Sequence, residues 1–292
     1  MIQLVSKELT DSTEQRLNEL QAEVNTEVSF AAKVSKAKSK WNGKNSSNAG
    51  EKAFNEVYDT LKTMCVSDGA CNYCENDEGG DIEHIAPKSF FPEQAFVWDN
   101  YLLACKTCNT GYKLDKCWVL DSAGKKHETK RGVKPNHVTH AFINPRVENP
   151  NQYMLLNLES FTYDLSPLVE DADLVSKNKV ECTLAILKLN ERELLIQARK
   201  NAAIYFYERM HRLSKIVQVE SHNELSPLLT PYDSVQEEKD LDNIKEYYKK
   251  SFKNDIQKHQ HPSVWYAIKK VARLTDSKWE ALFQAVPEAL YW

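Results

Sequence analysis

Glycine and proline are scarce in this chain, and long apolar runs are missing. Only 8 glycines and 10 prolines occur among 292 residues, which excludes collagen-like and low-complexity sequences. No stretch of about 18 apolar residues is present, and residues 1–14 lack the apolar core of a signal peptide. We therefore expect a folded cytoplasmic protein of one or two domains that does not bind membranes.

An excess of basic charge is also absent, because the net charge is −4. A surface for a polyanion must then be local. Residues 33–44 hold five lysines and no acid, and residues 101–146 hold nine basic against three acidic residues. Both stretches are candidate phosphate tracks, with solvated loops as the alternative. Residues 220–242 carry seven acids and are interpreted as a surface for a protein partner or as a solvated face.

Four of the seven cysteines form two close pairs, Cys71-x-x-Cys74 and Cys105-x-x-Cys108. Each pair can place two thiolates on one tetrahedral ion, so together they predict a closed structural zinc site without catalytic function. The 30 residues between the pairs exceed the roughly 15 to 20 of an ordinary zinc ribbon and should fold into a unit of their own. The other three cysteines lack such spacing and are interpreted as free thiols.

The cysteine region predicts two strands and a helix. Residues 81–87 and 97–104 read as short strands, and residues 108–115 as a helix. The resulting ββα unit would be stabilised by zinc at both ends, because its core is too small to fold alone. We expect an α+β protein, mainly helical, in which N-terminal and C-terminal helices flank this core.

Two segments of this region resemble the HNH motif of the ββα-metal endonucleases. They read Ile-Glu-His-Ile-Ala-Pro-Lys over residues 82–88 and Trp-Asp-Asn-Tyr-Leu-Leu-Ala-Cys-Lys-Thr-Cys-Asn over residues 98–109. The resemblance implies that His84 is the general base and that Asn100 braces its loop. It also implies that Glu83 and Asn109 hold a catalytic Mg²⁺ or Mn²⁺.

Four lysines are candidate contacts to nucleic acid: Lys88, Lys106, Lys113 and Lys116. Lys113 lies four residues after Asn109, where it would share a helix face with that residue. DNA is the expected substrate. RNA stays an alternative, because such a core contacts the backbone rather than the bases.

Residues 102–109, 143–150 and 184–192 carry a second, less specific resemblance, to the HNH subunit of Septu-type anti-phage systems, also found beside retrons. That family implies an ABC-type ATPase partner. ATP dependence would come from the partner, since this chain has no phosphate-binding Gly-x-x-x-x-Gly-Lys-Ser/Thr loop. Two alternatives stay open: a stand-alone restriction-type HNH nuclease, and a zinc-stapled binding module with a vestigial nuclease site.

The chain divides into four predicted parts. Residues 1–50 form a helical arm with the first basic stretch, and residues 51–150 form the nuclease module. Residues 151–220 extend that module with helices, and residues 221–292 form a C-terminal helical segment that is a candidate partner-binding surface. Helical periodicity is clearest over residues 12–38, 54–64, 180–219 with a break near 190, and 237–292.

Overall fold

The computed structural model describes residues 1–67, 69–230, 233 and 240–292. Two compact units are present: Met1–Leu155 with Tyr163–Glu193, and Leu156–Thr162 with Leu194–Trp292. Helices and small sheets are mixed, with helix predominant, so the predicted mixed class is confirmed at that level. Part of the predicted acidic stretch and the start of the last predicted helical block, at residues 231, 232 and 234–239, lie outside the described residues. The predicted domain boundaries stay predictions.

Three helices open the first unit: α1 (Asp11–Asn25), α2 (Phe30–Asn42) and α3 (Asn48–Met64). The periodic pattern over residues 12–38 is therefore two helices. A new helix begins because the Ser29 side chain accepts a hydrogen bond from the Ala32 N–H at 3.1 Å. The apolar stripe of α3 packs with α1, Tyr101 and Leu103 in one buried core. This core fixes the helices against the cysteine region.

The cysteine region contains an antiparallel pair of strands, β1 (Asp81–His84) and β2 (Tyr101–Ala104). In their register His84 lies opposite Tyr101. A π-helical segment, Thr107–Lys113, follows β2. The second strand is shorter than predicted because Trp98–Asn100 forms a 3₁₀ turn. The residues singled out by their sequence motif thus lie on β1, on this turn or on the helical segment.

Residues 116–145 contain a three-stranded antiparallel sheet. Its strands β3 (Trp118–Leu120), β4 (Lys126–Glu128) and β5 (Thr139–His140) lie in the order β4–β3–β5. The next elements are α4 (Pro150–Tyr153), β6 (Met154–Leu156), β7 (Tyr163–Leu165) and α5 (Leu174–Leu187). Lys188 ends α5 in the left-handed conformation, close to the predicted break near residue 190.

The second unit is helical around an aromatic core. Its elements are α6 (Glu193–Ile216), α7 (His222–Leu225), α8 (Leu241–Lys258), α9 (Pro262–Ala267), a π-helical segment (Ile268–Ala272), α10 (Arg273–Thr275) and α11 (Ser277–Ala285). Trp265 packs against Phe206 and Phe283 at ring-centre distances of 5.4 and 5.8 Å. These aromatics are buried, as expected for core residues rather than base-stacking platforms. Among the described helices, none combines the length and apolarity needed to cross a bilayer.

Candidate active site and zinc cluster

The four paired cysteines meet in one buried cluster. Cys71 and Cys74 precede β1, whereas Cys105 directly follows β2 and Cys108 lies in the π-helical segment. Their sulphur atoms all lie within 4.8 Å of one another, and the Sγ atoms of Cys74 and Cys105 are 3.8 Å apart. A tetrahedral zinc ion with bonds of about 2.3 Å separates its thiolates by about 3.8 Å. The cluster therefore fits a metal such as zinc with no position left open for chemistry.

Arg192 provides a positive charge beside this cluster. Its guanidinium donates a hydrogen bond to the Cys108 sulphur at 3.4 Å and lies 3.8 Å from the Asp77 carboxylate. Four thiolates around a divalent ion leave excess negative charge, which needs a nearby cation when it is buried. Arg192 was not a predicted site residue. It is the last residue of the 184–192 segment, so the second resemblance contained a signal for it.

His84 lies at the end of β1 among aromatic rings. Its ring centre is 4.2 Å from that of Trp41 and 5.2 Å from that of Tyr101. Nε2 lies 2.9 Å from the carbonyl oxygen of Ala95. Because a carbonyl can only accept, Nε2 carries the proton and Nδ1 keeps a free lone pair. Burial holds the pKa of His84 well below its usual range, and the charge of Lys88 acts in the same direction, so the imidazole is neutral at neutral pH.

Asn100 joins the 3₁₀ turn to the chain that follows β1. Its side-chain oxygen accepts from the Ala86 N–H at 2.7 Å. Its amide nitrogen donates to the carbonyls of Ala86 and Gln94 at 3.0 and 2.8 Å. Ala95, the partner of His84, directly follows Gln94. The buried Asn100 side chain thus holds the segment that orients the imidazole.

Replacing Asn100 with alanine should lower the free energy of unfolding by about 2–4 kcal/mol. Two buried backbone groups of Ala86 and the half-buried carbonyl of Gln94 lose their partner. Each unsatisfied buried group costs about 1–3 kcal/mol when the surroundings do not rearrange. Urea denaturation measures the change. Asn18→Ala, an exposed position on α1, is the matched control and should cost less than about 0.5 kcal/mol. Equal effects of both substitutions would contradict a bracing role for Asn100.

Carboxylate and amide groups meet on the other face of β1. Glu83 and Asp81 are two residues apart and therefore point to the same side of the strand. The Asp81 carboxylate accepts a hydrogen bond from the Asn109 side chain at 3.2 Å. Glu83 is buried, and its Oε1 lies 2.5 Å from the ammonium group of Lys113. Burial raises the pKa of Glu83, while the charge of Lys113 lowers it. These oxygen donors are of the type that Mg²⁺ and Mn²⁺ prefer.

The four candidate nucleic-acid lysines lie in different environments. Lys113 is 0% exposed and donates to the His84 carbonyl oxygen at 2.8 Å. It therefore lies beneath the strand, away from any surface that a phosphate backbone could reach, which differs from the sequence expectation. Lys106 and Lys116 are exposed. Lys88 is half-buried, with its ammonium group 5.2 Å from the centre of the Trp41 ring.

Helix α2 brings part of the first basic stretch close to His84. The Lys44 ammonium group lies 4.8 Å from the centre of the Trp41 ring, which contacts the imidazole. Burial lowers the pKa of Lys88, and the positive charges of Lys38 and Lys44 add to this effect. Lys38 and Lys44 thus act on the same small region as Lys88 and His84.

Two more lysines of the first basic stretch, both on α2, have acidic partners in α1 or just after it. Lys36 lies 3.2 Å from the Glu27 carboxylate, and Lys40 pairs with Glu23. The basic stretch therefore contains lysines paired with acidic residues in or just after α1, and lysines directed toward the His84 region.

Sequence reasoning missed Asp81 and Trp41 as site residues. A signal for Asp81 was available, because a carboxylate two positions before Glu83 must share its face in a strand. Trp41 lies 43 positions before His84 and beyond the helical pattern of residues 12–38, and α2 continues through it to Asn42. Nothing in its local sequence indicated contact with the imidazole.

The chain is similar to a protein of Bacillus thuringiensis named Septu protein PtuB, with 26% identity over 176 residues. The match covers 58% of this chain, and the chain spans 55% of the length of that protein. No family model matches the chain. No solved structure matches it either.

Proposed function

We propose that this chain is a metal-dependent HNH endonuclease that hydrolyses phosphodiester bonds in DNA. The observation that carries the proposal is the state of His84: Nε2 is fixed by the Ala95 carbonyl, and the imidazole is neutral with Nδ1 free. A neutral imidazole of this kind is suited to accept a proton from water. Basic side chains near the imidazole and oxygen donors on the other face of β1 would supply the other groups that such a reaction needs.

In this mechanism His84 takes a proton from the attacking water through Nδ1. Asn100 acts as a positioning residue, because its bond to the Gln94 carbonyl holds the segment that carries Ala95. The Ala95 carbonyl in turn fixes the ring and its tautomer. The imidazole is thus oriented before the substrate arrives, which lowers the reorganisation needed for reaction.

The residues that would hold the divalent ion are Glu83 and Asn109, with Asp81 beside them. Such an ion neutralises charge on the phosphoryl and leaving oxygens. The donor set fits because two carboxylates and one amide offer hard oxygen ligands. Lys113 already binds the Glu83 carboxylate, so an ion at Glu83 competes with this pair. Glu83→Gln should therefore shift the metal concentration needed for half-maximal activity.

The similarity to the Septu protein supports a role as the nuclease of an anti-phage defence complex. The ATPase partner implied by the family resemblance would supply nucleotide dependence in trans. The test is co-expression with a candidate Septu-type ATPase, followed by affinity purification. A stand-alone restriction-type enzyme would purify without such a partner and cleave DNA by itself.

The activity is tested with purified protein on duplex DNA, single-stranded DNA and RNA, each with Mg²⁺, Mn²⁺ or EDTA. We expect cleavage of DNA that EDTA prevents. Cleavage of RNA alone would change the substrate class and keep the chemistry. Binding without cleavage, even with the partner, would favour a zinc-stapled binding module. The Glu83–Lys113 ion pair is the observation that favours this second candidate, because it occupies a carboxylate expected to bind metal.

Replacing both Lys38 and Lys44 with glutamine should weaken DNA binding and reduce its salt dependence. Each phosphate contact adds about 0.9 to the slope of log K against log salt, so two lost contacts should lower that slope by about 2. Fluorescence anisotropy at four or five salt concentrations measures this. The matched control is Lys36→Gln with Lys40→Gln, which removes equal charge from the same basic stretch. Equal slopes for both double variants would reject a specific contact by Lys38 and Lys44.

A further inference from the structure

A second group of metal-ligating side chains lies in the three-stranded sheet, outside the site described above. It consists of Asp121, which directly follows β3, His127 in the middle of β4, and His137 in the segment before β5. One ligand atom from each lies within 4.8 Å of the others. None of the three is part of the proposed nuclease mechanism. All three side chains are half-buried, so an ion from solution could reach them.

The backbone holds Asp121 and His127 in place. Oδ1 of Asp121 accepts hydrogen bonds from the N–H groups of Ala123 and Lys125 at 2.9 and 3.0 Å, which fixes the carboxylate in the β3–β4 turn. Oδ2 is then directed to Nε2 of His127, at 2.8 Å. His127 lies opposite Val119 in the strand register. One carboxylate oxygen and one imidazole nitrogen are therefore positioned before any ion binds.

His137 completes the group from a different segment. Its ring centre lies 4.8 Å from that of His127, with the two ring planes inclined by 36°. The two imidazole rings therefore lie next to each other. Two imidazoles and one carboxylate form a donor set typical of zinc and other first-row divalent ions, rather than of Mg²⁺ or Ca²⁺.

We propose that Asp121, His127 and His137 form a second metal site that binds one Zn²⁺ ion, separate from the four-cysteine cluster. Two ligand atoms on a tetrahedral zinc lie about 3.3 Å apart, given bonds of about 2.0 Å. The observed separation of 2.8 Å between Asp121 and His127 needs to widen only slightly for an ion to replace the shared proton. Three protein ligands leave a fourth position for water, so this site is open where the cysteine cluster is closed.

Metal at this site would join the β3–β4 turn to the segment of residues 129–138. That segment carries three basic residues of the second basic stretch: Lys130, Arg131 and Lys134. An ion would thus order a basic loop, a role that does not depend on the nuclease proposal.

The test uses the full-length protein with its cysteine cluster already filled by one equivalent of zinc. Zinc chloride is then titrated by calorimetry into the wild type, His137→Ala, His137→Gln and the control His211→Ala, an exposed histidine on α6. We expect the wild type and the control to bind a second equivalent. Both His137 variants should bind it at least about 10-fold more weakly, because one of three ligands is lost.

Cobalt absorption distinguishes the two metal sites, and tryptic digestion shows whether zinc orders the basic loop. Cobalt bound by thiolates gives an intense charge-transfer absorption, whereas an imidazole and carboxylate site does not. The second equivalent of cobalt should therefore add no such band. Zinc should slow tryptic cleavage after residues 130 and 131 in the wild type but not in His137→Ala. Binding of only one equivalent by the wild type, or a second-site affinity in both His137 variants equal to that of the wild type, would overturn the proposal.

Discussion

Replacing His84 with glutamine should lower DNA cleavage by about 100-fold or more while the protein stays folded. General-base catalysis by a positioned side chain contributes roughly 10²–10⁴ in rate. The glutamine amide can still donate to the Ala95 carbonyl, which now receives a bond of 2.9 Å from Nε2, but it cannot take a proton from water. Single-turnover cleavage with saturating protein measures the loss without interference from product release.

Two controls separate chemistry from folding in this experiment. His211→Ala removes an exposed histidine from α6 and should leave cleavage unchanged. The zinc content and thermal unfolding of His84→Gln should match the wild type, because the substitution leaves the cysteine cluster intact. Full cleavage by His84→Gln would show that another group acts as the base.

Replacing Cys105 with serine should remove one equivalent of zinc and unfold the cysteine region. A structural zinc site contributes about 10–16 kcal/mol in small zinc-binding peptides. That value is comparable to the whole stability of a typical domain, about 5–15 kcal/mol. The Cys105 sulphur lies 3.8 Å from that of Cys74 within the buried cluster, and a serine hydroxyl is a poor replacement for a thiolate. Metal analysis and circular dichroism measure both effects.

Cys65→Ser is the matched control for this variant. Cys65 lies outside the cluster and accepts only a weak hydrogen bond from Asn72 at 3.4 Å, which serine can also accept. The control should keep all its zinc and its unfolding temperature within a few degrees. If Cys105→Ser kept the same zinc content as Cys65→Ser, the four-thiolate assignment would be wrong.

The sequence was most informative where short-range patterns determine structure. The spacing of Cys71, Cys74, Cys105 and Cys108 predicted their meeting, because two close pairs can satisfy one tetrahedral ion. The strand and helix order around them followed from alternation and turn residues. The stripe of α3 was predicted from helical periodicity, and it packs with Tyr101 and Leu103 of the cysteine region.

The environment of Lys113 was not accessible from the sequence. Its burial depends on Phe142, whose ring centre lies 5.8 Å from the ammonium group, and on the carboxylate of Glu83. These partners lie 29 and 30 positions away, so local periodicity carries no information about them. Helical spacing placed Lys113 on the same face as Asn109. Whether that face is buried at Lys113 depends on tertiary packing, which helical spacing does not reveal.

The hydrogen-bond partners of His84 could not be predicted for a similar reason. Ala95 lies in a segment without regular periodicity, and its position depends on Asn100 and on the 3₁₀ turn. The motif indicated the role of His84 as the candidate general base. The tautomer and the neutral state of its imidazole depend on neighbours in the folded protein, which the sequence does not identify.

The most direct measurement is nicking of supercoiled plasmid by purified wild type and His84→Gln, with Mg²⁺ or EDTA, in the presence and absence of the proposed ATPase partner. We predict nicking by the wild type with Mg²⁺, no nicking with EDTA, and a loss of about 100-fold or more in His84→Gln. Nicking that is equal in wild type and His84→Gln, or no nicking by the wild type under any of these conditions, would contradict the proposed nuclease with His84 as its base.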